Sequence, residues 1–370
     1  MRSFAGSWKR IPVACKSAKG NPLLDSLARM RAASILSVLV LLAACLSSVG
    51  ARGYGKGKPR RVVPEENLAF NPQPSPLLEL SSLPERFNWC AREDGSDWCA
   101  PNWNQHIPIY CGSCWAHGTL SMVQDRLKIR KKGRGPDVML SRQTLLNCGA
   151  FEGLGAGCDG GEVADALKYM ADFGLPDEAC MTYNATDHMK YDQSLKHCPA
   201  DAICRNCMPI KDVDTCWAVK TPILYKLTSY GRLPNGTRTK DNVHEMMSEI
   251  YQRGPITCSI TTPDDFVYKY HGGVWLDKHS AGREDVDHDV EVVGWGRHRG
   301  VDHWIIRNSW GTFWGELGFF KLERGANSMF VEDGDCWFAE PEFSMEEAVV
   351  EGELVGSMYG LVENHAGAAQ

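Results

Sequence analysis

Cys111 and Cys114 stand three residues apart in the run Tyr110-Cys111-Gly112-Ser113-Cys114-Trp115-Ala116-His117. The second cysteine opens an apolar segment in which Leu120, Val123 and Leu127 recur at helical spacing, the stripe of a buried helix. Ser113 is a favourable N-cap residue, which puts Cys114 in the first helical turn. Its sulfur then meets backbone N–H groups and the positive end of the helix dipole, and both favour the thiolate. A thiolate is a nucleophile. It needs a partner that stabilises it and later protonates a leaving group, and near neutral pH histidine suits both tasks. The plainer reading is a disulfide cysteine beside a second thiol, and the motif alone does not choose between them.

The rest of the chain supplies partners. Of eleven histidines, His288 stands out because it enters a strand-like run, Val290 to Trp295, that ends in Gly-Trp-Gly. Twenty residues on comes Asn308-Ser309-Trp310-Gly311. An Asn308 amide can orient an imidazole, and Trp310 can shield that contact from water. Gln105 lies nine residues before Cys114. Its amide, with the Cys114 backbone N–H, can donate to a developing oxyanion.

Elements must bring these residues together. Helical patterns follow Cys114 to about Lys131, cover Ser141–Asn147 and resume after Cys158-Asp159-Gly160-Gly161, with Val163, Leu167, Met170 and Phe173 on one face and Gly174 closing. A fourth spans about Asn242 to Gln252, with Val243, Met246, Met247 and Ile250 inward. After Gly254-Pro255 the character changes to short β-rich runs: Ile256–Ile260, Val290–Trp295, Trp304–Arg307 and Phe319–Leu322. Helices dominate the first half and strands the second, an α+β layout whose natural ligand site is a cleft between two halves. Residues 180–216 hold five cysteines among few apolar residues and read as a stapled loop region. Cys90 and Cys99 bracket a polar loop and can bridge each other.

Composition sets the compartment. The 370 residues include 15 Cys, and the formal net charge is −6. The six acids after Pro341, in a tail without Lys or Arg, account for that charge; the remainder has 40 basic and 40 acidic residues. No face stands out as a nucleic-acid binder, and this cysteine usage points to an oxidising compartment. Ile35–Ala44 is an apolar core preceded by Arg29 and Arg31, with Val49-Gly50-Ala51 as a small-residue cleavage site, the pattern of a secretory signal. The stretch before it is long for a signal, which makes Met30 an alternative start and a targeting extension the competing explanation. No later run reaches the ~18 apolar residues that span a bilayer. We therefore divide the chain into a leader (1–51), a Gly/Pro-rich, weakly structured arm (52–82), a folded body (83–341) and an acidic tail (342–370) that reads as flexible or peripheral.

At these residues the chain resembles papain-family cysteine proteases. Gln105, Cys-Gly-Ser-Cys-Trp-Ala, Cys158-x-Gly-Gly, Asp287-His288, Gly-Trp-Gly and Asn-Ser-Trp-Gly follow in the family's order over about 83–341. The resemblance implies a two-lobed fold, a helical half and a β-barrel-like half with the cleft between them. It implies Cys114 as nucleophile, His288 as base and acid, Asn308 as orienter and Gln105 as oxyanion donor. Gly160 and Gly161 would offer backbone contacts to extended substrate. It implies acyl-enzyme peptide hydrolysis with no cofactor and no metal, most simply by a monomer acting on peptides. His106-Ile107-Pro108, within the three extra residues between Gln105 and the Cys-Gly-Ser-Cys run, looks like the cathepsin X (cathepsin Z) branch, as do the short arm and the Leu83-Pro84 start. There His106, on the mini-loop ending at Tyr110, would meet the substrate's terminal carboxylate, giving a carboxypeptidase that removes one residue. A protonated histidine complements a carboxylate, so binding would weaken as pH rises through the His106 pKa, ordinarily about 6.5.

Two departures stand out. The arm has no Cys to block the thiol, so inhibition by the arm would be non-covalent, through Arg60 and Arg61. Asp289, beside the base where relatives carry a small or apolar residue, would approach the S2 pocket and favour a basic P2 residue, whereas Glu291 reads as a paired structural acid. The resemblance suggests the bridges Cys111–Cys158, Cys148–Cys198, Cys180–Cys204, Cys207–Cys216 and Cys258–Cys336. With Cys90–Cys99 these leave Cys114 outside every bridge. Three rival readings remain: a papain-like endopeptidase without the terminal restriction, an inactive secreted binding homologue, and a zinc module on Cys198, Cys204, Cys207 and Cys216. Asn184 and Asn235 head glycosylation sequons, in keeping with a lysosomal or extracellular destination.

Overall fold

Every residue from Cys114 to Leu127 is buried, charged side chains included. The reason is visible in a computed structural model, which describes residues 62–211, 213–233, 239–278, 285–333 and 335–364. The leader, Met30, Arg60, Arg61, Cys15, Cys45 and Asn235 lie outside the described residues. The helix that Cys114 opens, α1 (Cys114–Arg130), runs between two hydrophobic cores. One gathers Trp115, Leu120, Leu127, Leu145 and Leu167. The other gathers Ile256, Val290, Trp295, Trp304 and Phe320. With apolar packing on both sides, its polar residues must find internal partners. Arg126 does so fully, donating to the carbonyls of Gly254, Pro255 and Ala339 and to Glu249 and Glu340.

The first core is helical. It adds α2 (Arg142–Cys148), capped by Ser141, whose Oγ accepts the Thr144 N–H at 3.1 Å. It also adds α3 (Val163–Asp172), opened by a Glu162/Asp165 capping box and followed by Gly174 at φ +79°, and the short α4 (Ala200–Ile203). Val163, Leu167 and Met170 are buried as expected, but Phe173 is 42% exposed, its ring 5.1 Å from Tyr169. It sits at the helix C-cap, where the turn carries it off the inward stripe.

The second core lies on a sheet built from β1 (Phe87–Asn88) and seven strands found later in the chain. Before those, residues 180–216 contain a hairpin, β2 (Arg205–Ile210) with β3 (Val213–Ala218), where the cysteine spacing suggested loop alone. The main strands are β4 (Lys226–Leu233), β5 (Ile256–Ile260), β6 (Val274–Trp275), β7 (His288–His298), β8 (Val301–Arg307), β9 (Phe319–Glu323) and β10 (Cys336–Glu342). They are ordered β4-β10-β5-β7-β8-β9-β6, with β1 on β7. The expected barrel-like half is thus a single eight-stranded sheet. Helices α5 (Thr239–Arg253) and α6 (Asp264–Lys269) complete this half.

The tail is not loose. It forms α7 (Ser344–Val350) and a hairpin of β11 (Leu354–Ser357) with β12 (Gly360–Glu363). Glu346 takes Lys131 at 2.5 Å and the Tyr225 hydroxyl at 2.9 Å, and the Leu361 N–H donates to the Thr221 carbonyl at 2.7 Å. Glu346, one of the acids that read as a solvated tail, thus has partners on the body. The described part of the arm is likewise docked. Phe70 exchanges backbone hydrogen bonds with Tyr230, the Ser75 N–H donates to Glu249, and Gln252 and Arg253 hold the carbonyls of Pro76 and Gln73. Glu249 also binds Arg126, twelve residues beyond Cys114, which is ~18 Å along a helix.

Six disulfides join Cys90–Cys99, Cys111–Cys158, Cys148–Cys198, Cys180–Cys204, Cys207–Cys216 and Cys258–Cys336. All four sulfurs of the zinc reading are consumed in them. Among the described residues Cys114 alone lies outside a bridge.

Candidate active site

Cys114 is 7% exposed at the first position of α1. Ser113 is at the N-cap position but makes no side-chain cap. Its Oγ instead contacts the Tyr183 hydroxyl at 3.0 Å and His117 Nδ1 at 3.2 Å. The Ser113 hydroxyl therefore does not accept from the N–H groups of the first turn, and the helix end keeps its pull on an anion. The approach to Cys114 is pinned by the Cys111–Cys158 bridge and by the Gly112 N–H donating to the Cys158 carbonyl at 2.8 Å. Gly161 covers the Trp115 ring so closely that a Cβ there would stand 2.6 Å from it. Gly160, at φ +114°, and Gly161 form a half-exposed backbone strip beside this bridge.

His288 is the first residue of β7 and fully buried. Its Nε2 lies 2.8 Å from Asn308 Oδ1, and its ring stacks on Trp310 at 4.8 Å and 28°. The Ser309 N–H donates to the same Oδ1 at 2.8 Å. A backbone N–H only donates, so that atom is the amide oxygen, and Nε2 must carry the imidazole proton toward it. Nδ1 is then the nitrogen left to take a proton from a thiol. Helix and strand meet closely here: a Cβ on Gly118, one turn past Cys114, would stand 2.9 Å from the Asp289 carbonyl oxygen.

Gln105 is fully buried and held from both ends. Nε2 donates to the Cys111 carbonyl at 3.0 Å, Oε1 accepts the Ser309 hydroxyl at 2.6 Å, and its own N–H donates to the Ser309 carbonyl at 2.8 Å. One amide hydrogen remains for an incoming oxygen. Ser309 was legible only as a letter of the Asn-Ser-Trp-Gly motif; its service to Gln105 was not anticipated.

His106 follows directly and is 8% exposed, its ring stacked on Tyr110 at 4.8 Å and 8°. Burial, and then the charge of His288, pull its pKa down to about 4. His106 is therefore a neutral imidazole at pH 5, where the sequence suggested a cation. Burial is a property of the fold, which residue type and spacing do not report. Around it Ile107, Ile109 and Tyr110 are exposed at 58, 59 and 41%.

Asp289 does not stand on an open pocket wall. It is 2% exposed, Oδ1 accepts the Ser259 hydroxyl at 2.6 Å, and it lines a small internal cavity of about 10 Å³ with His117, Glu291 and Arg307. The S2 reading is corrected accordingly: β5 pairs Ser259 opposite Asp289 and satisfies it internally. Glu291 is a structural acid as expected, 3.2 Å from Arg307, which also binds Asp125 at 3.0 Å. A larger cavity of about 630 Å³, lined by Arg86, Phe87, Trp295 and His298 among others, lies at the opposite end of β7 from His288 and is lined by none of Gln105, Cys114, His288 and Asn308. On the surface Asn184 is exposed, and the Thr186 hydroxyl donates to its Oδ1 at 2.5 Å.

Comparison with known proteins agrees with this geometry. Residues 83–340 match the family model described as papain family cysteine protease. Cathepsin Z of Onchocerca volvulus is 35% identical over 271 residues, 71% of this chain and 79% of that protein. A cathepsin B-like cysteine proteinase 3 of Caenorhabditis elegans is 34% identical over 229 residues, 60% of this chain and 57% of that one. Among solved structures, digestive procathepsin L 3 from the larval midgut of Tenebrio molitor superposes with a TM-score of 0.56 at 26% identity, covering 78% of this chain and 77% of its own.

Proposed function

The chain belongs to the papain family of cysteine proteases, and on that footing we propose that it is a carboxypeptidase that removes single residues from peptide C-termini. Cys114 yields its proton to His288 Nδ1 and attacks the last peptide carbonyl. The oxyanion takes hydrogen bonds from the Cys114 N–H and the remaining Gln105 amide hydrogen. His288, held by Asn308, protonates the departing amine, and water then cleaves the thioester. Gly160 and Gly161 offer backbone groups to the retained peptide, and Trp310 keeps water from the His288–Asn308 contact.

The observation that carries the terminal restriction is His106. It sits one residue from the oxyanion donor, buried and stacked on Tyr110. A neutral imidazole can donate one N–H to a carboxylate, and an arriving carboxylate itself raises the imidazole pKa. Binding then recruits a proton, so affinity is greatest below about pH 4, the pKa of the unliganded imidazole, and falls from there until pH passes the higher pKa of the bound state. The six disulfides fit an oxidising compartment. With the Asn184 sequon they support a lysosomal or secreted enzyme.

The test is hydrolysis at about pH 5 of paired peptides with free and amidated C-termini. The wild type is expected to trim the free peptide by one residue, and His106→Ala to lose ~10–100-fold in kcat/KM on it while changing little on the amide, the range of a lost charge-assisted hydrogen bond. Equal losses on both, or cleavage within amidated chains at comparable rates, would return the enzyme to the general endopeptidase reading.

A further inference from the structure

We propose that Tyr183 is a positioning residue of the oxyanion hole, its hydroxyl joining the two pieces of chain that carry the hole's donors. It acts through Gln105 and Ser113, so the inference rests on the cysteine-protease reading. Tyr183 lies in the stapled region, outside every motif that carries a catalytic residue, and is 9% exposed. Its ring meets His117 edge-on at 4.8 Å and Trp103 at 6.3 Å. The hydroxyl is 2.5 Å from the Gln105 carbonyl oxygen and 3.0 Å from Ser113 Oγ. Gln105 bears one oxyanion donor on its side chain. Ser113 immediately precedes Cys114, whose N–H is the other.

The direction of each hydrogen bond follows from donor chemistry. A carbonyl only accepts, so the Tyr183 hydrogen goes to Gln105. The Tyr183 oxygen must then accept from the Ser113 hydroxyl. That spends the Ser113 hydrogen, so His117 Nδ1, 3.2 Å from Oγ and 3.0 Å from the Ser113 carbonyl, is the protonated nitrogen and donates to both. The chain has one sense throughout: His117 to Ser113 to Tyr183 to Gln105. Burial supports it at each end. It pushes the Tyr183 hydroxyl up to about 12, so it stays a donor, and with Arg142 nearby it keeps His117 well below its usual value, so the ring is neutral with one N–H. Reversing any member would leave two donors or two acceptors facing each other in a dry site, which is costly.

Glu178 secures the other side, its carboxyl accepting the Tyr183 N–H at 2.5 Å. Two segments 70 and 78 residues away in sequence are thereby set at a fixed spacing from one phenol. Spacing is what an oxyanion hole needs, because its donors must already point at the atom where charge develops.

The experiment is Tyr183→Phe in the full-length enzyme, with three readings: peptide hydrolysis, inhibition by a peptide aldehyde, and alkylation of Cys114 by iodoacetamide. The aldehyde forms a tetrahedral adduct whose oxygen occupies the hole; alkylation needs the thiolate but no hole. We expect kcat to fall about tenfold with KM unchanged and aldehyde affinity to fall by the same factor, while alkylation stays within twofold. An unchanged kcat, or alkylation falling in parallel with aldehyde binding, overturns the assignment. Should Tyr183→Phe not fold, Ser113→Ala removes the hydrogen bond into the Tyr183 oxygen. A loss of about threefold in aldehyde affinity at unchanged alkylation supports the chain, and no loss refutes it. If the wild type neither alkylates at Cys114 nor binds the aldehyde, the cysteine-protease reading fails first.

Discussion

Gly118 offers the most direct test of how closely α1 must approach β7. A Cβ there would stand 2.9 Å from the Asp289 carbonyl oxygen, 3.0 Å from its carbon and 3.2 Å from the Val290 nitrogen, where ordinary contacts begin at 3.4 Å. All three are backbone atoms, so no side chain can swing away. Gly118→Ala must therefore part helix and strand by about 0.5 Å, the difference between 3.4 and 2.9 Å. Two energies oppose each other. Alanine in a helix gains up to ~1 kcal/mol over glycine, whereas overpacking costs ~1–3 kcal/mol, so net destabilisation is expected. The catalytic consequence is larger, because Cys114 lies one turn above Gly118 and His288 one residue before Asp289. A 1 Å misplacement costs roughly 100-fold; half of that gives roughly tenfold. The assay is alkylation of Cys114 by iodoacetamide at pH 5 and pH 9. At pH 5 only a thiolate held by an imidazolium reacts well, whereas at pH 9 an ordinary thiol, pKa about 8.5, is ionised unaided. Gly118→Ala is expected to lose about tenfold at pH 5 and in kcat/KM, and little at pH 9. Wild-type reactivity at pH 5 with an unchanged Tm would refute the spacing argument.

Further outcomes follow from buried charge. Arg126→Met strips Glu249, 1% exposed, of a partner and leaves the carbonyls of Gly254, Pro255 and Ala339 without their donor. A loss of about 3–5 kcal/mol is expected, read as a Tm lower by roughly 10 °C. Glu178 is held by burial at about 7 rather than 4.5. The folded state thus keeps a proton that the unfolded chain releases, so this stabilisation is complete below about pH 4.5 and is lost as pH rises through about 7. Glu178→Gln should match the wild type at pH 4 and exceed it at pH 7 by up to about 3 kcal/mol, measured by denaturant titration at both values.

Much of this molecule could be read in advance where local pattern and global role agree. The Leu120, Val123 and Leu127 stripe marks α1, and β5, β7, β8 and β9 fall on the β-rich runs. The four positions we propose as catalytic stand in motif order, which is legible in a sequence whatever the packing. What escaped notice depends on burial. Asp125 and Arg126 look like surface charges on a helix, yet α1 has a core on either side and both are internal. Asp289 has the right address for a specificity pocket, but Ser259 comes from another strand and cancels it. The protonation state of His106 turns on burial and on His288 across the cleft. Tyr183 carries no sequence signal, because its value lies in reaching two distant segments at once. Glu346 in the tail misled in the same way: its partners, Lys131 and Tyr225, stand more than a hundred residues away.

β10 sits between β4 and β5, and Cys336 bridges to Cys258. During synthesis the nucleophile therefore leaves the ribosome long before the strand that stitches the sheet together. Pairings of such sequence separation cannot form until their last partner is made. Until residues 336–342 are made, β4 and β5 have no strand between them, so the sheet reaches its final order only when nearly the whole body has been synthesised.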